Sequence, residues 1–235
     1  MSFLTMIQAS AKRLGLSSPA SAYNSSDNQV VQLVALAQEE GIELAEVFDW
    51  KVLTKEKTFT GTAAAAQTGA LASDYDRMVN ESFFNRTQKR PVYGPISPQD
   101  WQFTQAIVAT TLVESFRIRG TSVLITPTPN GTDSYAYEYI STKWCQSSGA
   151  VEQTSWAADT DTGILSEEVM ALGIIWRFLK AKGFDYAESF RTYEVAKARA
   201  QVKDGGGKRT LNMGRKAGYG LARAPFIQEG GWSVS

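Results

Sequence analysis

Residues 115–141 read "SFRIRGTSVLITPTPNGTDSYAYEYIS", and this stretch decides between an all-helical chain and a mixed one. Three short runs are separated by Gly120 and by the segment from Pro127 to Gly131. Apolar positions alternate in each: Phe116 and Ile118, Val123 and Ile125, then Tyr135, Tyr137 and Tyr139. Successive side chains of a strand point to opposite faces, so this period of two predicts strands with a half-buried face. Asn130-Gly131 is a strong hairpin signal, because both residues tolerate the positive φ of a tight turn. The stretch predicts an antiparallel meander.

On either side of it the period changes. In "DNQVVQLVALAQEEGIELAEV", residues 27–47, Val30, Val34, Ala37, Leu44 and Val47 share one side of a helix. Asp27 or Ser26 caps its start, and Gly41 predicts a bend or break. Residues 3–16 predict a shorter amphipathic helix. "WKVLTKEKTFTG" from Trp50 predicts a strand, and the alanine-rich residues 62–78 read as a mobile connector. Residues 77–95 give strand-like stretches and a proline turn, and "SPQDWQFTQAIVATT" opens a helix at Ser97, with Pro98 in its first turn and Asp100 reaching back.

Toward the C-terminus, Leu165, Val169, Leu172, Trp176 and Leu179 follow a 4-3-4-3 spacing that makes one helical stripe. Glu167 and Glu168 at its start and Lys180 and Lys182 at its end suit the helix dipole, and Gly183 stops it. Asp185 and Glu188 open a second helix carrying Tyr186, Phe190 and Tyr193, which packs antiparallel on the first. The chain thus reads as α+β, with a helical-bundle body, an inserted antiparallel β region and an extended C-terminal arm. Its parts are residues 1–48, 49–145, 146–204 and 205–235.

Composition narrows the chemistry. The 235 residues are 43% hydrophobic with six tryptophans, enough for a true core, and the net charge is zero. The balance hides a basic end: residues 205–235 hold Lys208, Arg209, Arg215, Lys216 and Arg223 against Glu229, and eight of the 19 glycines. That composition argues against a packed fold there. With no histidine, Ser-His-Asp, Cys-His and His-metal chemistries are excluded. The single cysteine, Cys145, forbids an intrachain disulfide and reads as a buried, inert thiol in a reducing compartment. The first residues lack a secretory pattern and no apolar run reaches the ~18 residues of a membrane helix, so a soluble protein with no membrane partner is expected.

Several motif-like stretches fail on their own terms. Gly207-Lys208 is followed by Arg209 where a phosphate loop needs Ser or Thr, and Val202 stands where its first glycine belongs. "DTDTG" from Asp159, with Asp161 and Gly163, starts like a calcium loop, but Met170 replaces the closing glutamate; these read as helix-start acids. Glu167 and Glu168, adjacent on a helix, diverge. Trp176 and the three tyrosines read as core or interface, and Arg86, Lys89 and Arg90 as a solvated basic loop. No cofactor, metal or enzymatic activity is expected.

The order of elements, with "DWKVLTKEKTFT", the meander and "DTDTGILSEEVMALGIIWRFLKAKGFDYAESFRTYEVAKARAQVKDGG", resembles the head-to-tail adaptor (connector, or head-completion) proteins of tailed bacteriophages over residues 27–212. The resemblance implies a structural virion protein at the neck, assembled in the host cytoplasm. It implies a ring of identical subunits, usually twelve, beneath the portal protein. Such a ring extends the channel for genomic DNA and docks tail, nozzle or stopper proteins. The long insertion between Trp50 and Trp144 departs from the smallest members. The resemblance makes the C-terminal arm a portal-gripping segment, with Lys208, Arg209, Leu211, Met213, Arg215, Tyr219, Leu221, Arg223, Phe226, Ile227 and Trp232 as its binding residues. Extended, 31 residues span on the order of 100 Å. A nucleic-acid-binding accessory protein acting through the basic tail is the alternative.

Overall fold

Two cores organise the chain, one lined mainly by helices and one by strands. The computed structural model describes residues 1–106 and 113–205. Helix α1 (Phe3–Arg13) starts at Ser2, whose hydroxyl accepts from the Thr5 amide at 3.3 Å. Helix α2 (Asn28–Glu46) starts at Asp27, whose carboxylate accepts from the Gln29 amide at 2.8 Å. The expected cap is present, and the helix runs unbroken through Gly41. A Cβ there would overlap the Trp144 indole, so the glycine admits a ring. Val47 caps the C-terminus and is exposed, and Leu33 takes a place in the core instead.

A 3-10 turn (Lys51–Leu53) leads into β1 (Thr54–Thr60). The expected mobile connector holds two strands, β2 (Ala66–Gln67) and β3 (Tyr75–Met78). Alanine-rich sequence gives no period to read, and a single side chain sets the turn. Buried Gln67 accepts from the Thr62 amide at 2.7 Å and donates to the Thr62 carbonyl at 3.1 Å. Strands β4 (Phe84–Asn85) and β5 (Arg90–Pro91) pair as a hairpin. Helix α3 (Pro98–Ala106) begins as expected: the Ser97 hydroxyl accepts from the Asp100 amide at 3.1 Å and donates to the Asp100 carboxylate at 2.8 Å. The rest of that expected helix lies outside the described residues.

The meander is only half realised. Strands β6 (Ser115–Arg119) and β7 (Ser122–Thr126) form a hairpin through Gly120, at φ +59, and β2 adds a third strand. Strand β8 (Ser134–Ser141) joins a different sheet. There β1 pairs with it from Thr54↔Ile140 to Thr60↔Ser134, and β3 and β4 pair with its other edge. Asn130-Gly131 turns a corner between sheets. The Asn130 side chain accepts from the Thr132 and Asp133 amides at 3.0 and 3.2 Å, a local turn that redirects the chain.

Strand β8 borders both cores. Tyr135, Tyr137 and Tyr139 enter the strand core with Phe83, Phe116, Val123 and Ile125, whereas Ile140 belongs to the helical core. A small sheet of β9 (Cys145–Gln146), β10 (Glu152–Gln153) and β11 (Thr162–Gly163) leads to α4 (Glu167–Lys182). Helix α4 is covered by α1, α2 and α5 (Ala187–Gly205). Val169 and Trp176 are buried as expected, but so are Met170, Ile174 and Phe178, while Leu172 and Leu179 are only half-buried. Gly183 ends α4 at φ +75, and Asp185 accepts from the Ala187 amide at 3.0 Å to start α5. The molecule is a mixed α+β chain with antiparallel sheets.

Candidate functional site

The eleven arm residues from Lys208 to Trp232 named above lie outside the described residues. What the structure describes is the end of the last helix before them. Helix α5 ends beside the 3-10 turn, where the Asp204 carboxylate accepts from the Lys51 amide at 2.7 Å. The Lys51 ammonium in turn donates to the Gly205 carbonyl at 3.1 Å. Next to this tie is a cleft of about 500 Å³. Trp50, Leu165 and Val169 line it with Ala196 and Ala200, and Glu168, Arg199 and Lys203 lie among the polar lining residues.

The residues expected to hold the helix pair together do meet. The Trp176 ring lies 5.1 Å from that of Phe190, edge to face at 72°, and 6.0 Å from that of Tyr193. Phe190 and Tyr186 remain 39% exposed, and Tyr193 is the one buried residue of α5. Ring contacts of this kind add about 0.5–1.5 kcal/mol each beyond area burial.

Three buried polar clusters escaped the sequence reading. In the first, Arg177 on α4 is 7% exposed and reaches three glutamates of α2. Its guanidinium donates to Glu40 at 2.8 Å, Glu39 at 2.7 Å and Glu43 at 2.5 Å. Glu40 is fully buried, in a notch that Gly173 leaves open. Burial pushes the Glu40 carboxyl above its ordinary range, opposed by Arg177 and the Tyr193 hydroxyl.

In the second cluster, Asp74 accepts from Tyr139 at 2.9 Å, Ser141 at 2.8 Å and Lys55 at 2.8 Å. Burial opposes its charge, but these donors outweigh burial and hold the carboxyl well below the usual range. Lys55 also pairs with Glu152, so charge joins β1 to β10 and to the turn before β3, and the hydroxyls of Tyr139 and Ser141 add β8. In the third, the Asn85 amide donates to Asp133 at 2.9 Å and to Glu114 at 3.1 Å. Donors offset the charge of Asp74 and of one Glu40 oxygen, and the clusters lock elements together.

The remaining candidates take structural places. Asp159 and Asp161 are not helix-start acids, because α4 begins beyond them. Asp159 accepts from the Ala22 and Tyr23 amides, and Asp161 from those of Ala157 and Ala158, so both pin loops. Among the described residues no group of three or more Cys, Asp or Glu is placed to hold a metal. Arg86 pairs with Glu56 at 2.7 Å and Arg90 lies 3.8 Å from Glu114, so acids offset the basic loop. Cys145 is fully buried, and burial pushes its thiol up to about 12. No described helix is long and apolar enough to cross a membrane. Comparison with protein-family models and with curated proteins gives no match.

Proposed function

We propose that the protein is a head-to-tail adaptor of a tailed bacteriophage. Copies of it form a ring, usually twelve in such proteins, beneath the portal. The ring continues the DNA channel and offers a docking face to tail, nozzle or stopper components, without chemistry of its own. Helices α1, α2, α4 and α5 make the ring body, and the β region projects from it. The arm from Lys208 to Trp232 grips the portal, its ordering offset by anchors such as Leu211, Tyr219, Phe226 and Trp232.

One observation carries the reading most directly. Buried ion pairs join separate elements, and the last described helix is tied down where a basic, anchor-bearing segment begins. That layout supports a scaffold with an arm. The test is native mass spectrometry of the protein with the portal protein from its own genome, full-length and ending at Asp204. A stoichiometric complex made by the full-length chain alone is expected. If neither chain engages the portal and only the full-length one binds duplex DNA, with steep salt dependence, the adaptor reading fails and the nucleic-acid alternative replaces it.

A further inference from the structure

Helices α2 and α5 are both 19 residues long, and both pack on α4. Gly173 and Arg177 meet α2, while Trp176 meets α5. Their buried sides converge where Tyr193 adjoins Glu40, so their outer sides face away from each other. Neither outer side is simply polar. On α2, Val31, Ala35, Glu39, Ile42 and Glu46 recur at spacings of 4, 4, 3 and 4, with Val31 50% and Ile42 42% exposed. On α5, Arg191, Val195, Ala198 and Val202 recur at 4, 3 and 4, with Val195 45% and Val202 54% exposed. Those spacings put exposed apolar residues and charges on one stripe of each helix, with Glu39 and Glu46 among those of α2 and Arg191 at the start of that of α5, a pattern that suits packing on another helix.

The charges beside the two stripes are opposite. Helix α2 has no lysine or arginine, and exposes Glu39, Glu43 and Glu46. The exposed charges of α5 are Arg191, Arg199 and Lys203 against Glu188. Like would repel like if two α2 or two α5 stripes met, which disfavours a two-fold contact. A contact between two unlike patches of one molecule repeats from copy to copy, and closes into a ring when the rotation permits.

We infer that the outer stripe of α5 docks on the outer stripe of α2 of a second copy, head to tail. The inference rests on the self-association in the adaptor reading and supplies its interface. A groove beside α5, lined by Leu172, Arg191, Val195 and Arg199 together with Glu168 and Glu188, adds depth on one side of that contact.

The test uses full-length variants with one added cysteine, Ala35→Cys and Ala198→Cys, each near the midpoint of its helix. Cys145, fully buried, stays silent. Circular dichroism first confirms that each variant is folded. Under mild oxidation a mixture of the two gives a covalent dimer, neither alone does, and the double variant gives a ladder of multimers. Salt above about 0.5 M slows linking several-fold, because exposed charges are screened. Self-linking by either single variant, or no ladder at the highest soluble concentration, overturns the inference. Portal binding is measured on the same samples. Binding without a ladder overturns this interface and leaves the adaptor reading intact; a ladder without binding does the reverse.

Discussion

Arg177 sits in the run "IIWRFL" and would be read as an exposed exception in an apolar helix. The structure makes it the tie between α2 and α4. Removing one side of a buried pair leaves the other uncompensated, so Arg177→Met should lower stability by about 3–5 kcal/mol in urea titrations at pH 7. Adding Glu40→Gln should recover at least about 1 kcal/mol, since the orphaned charge is then gone. A signal for the tie existed: Glu39, Glu40 and Glu43 crowd one helix that has no basic residue, so their partner had to come from elsewhere.

The two buried carboxylates pull stability in opposite directions with pH. Asp74 has a folded value below its unfolded one, so its contribution is present above an ordinary aspartate value of 3.8 and is lost as pH falls below it. Glu40 is raised, so its contribution is complete below its ordinary value of 4.5 and is lost as pH rises through the folded value. Asp74→Asn should therefore cost about 2 kcal/mol at neutral pH. Its deficit against the parent should shrink by pH 3, as urea midpoints at the two pH values will show. Cys145 should resist thiol reagents at pH 8 until the protein is unfolded, because its thiolate is disfavoured and no reagent reaches it.

At the scale of elements, glycine in a helix usually weakens it, and Gly→Ala strengthens it by about 0.5–1 kcal/mol. Gly41 and Gly173 should reverse that sign, because a methyl group would overlap Trp144 at one and the Glu40 carboxylate at the other. Each alanine variant should lose about 1–3 kcal/mol or more by thermal or urea unfolding. Trp176→Ala should cost about 3–5 kcal/mol and loosen α5 first, seen as faster amide exchange over residues 187–205. The helices were legible in the sequence because the period of apolar residues and the caps at Asp27, Ser97 and Asp185 are local. The pairing of β8 was not. Asn130-Gly131 states that the chain turns, and nothing local states that the partner strand is β1. The role of Gly41 was hidden for the same reason, since its cause is an indole far along the chain. The buried clusters were invisible because each is assembled from separate elements, and the arm proposed to bind the portal lies outside the described residues.

The whole molecule has a seam. Chain leaves the helical core after Leu53 and returns to it at Ile140 and Trp144, and between them it builds the strand core. The points of exit and return are neighbours, since Thr54 pairs with Ile140 and Lys55 with Tyr139. A short connection there, in place of everything between, would span only the gap between two adjacent strands. The β region is therefore an exchangeable cassette. Enlarging, trimming or replacing it leaves the helices' own contacts in place, so this seam is the natural cut for a graft.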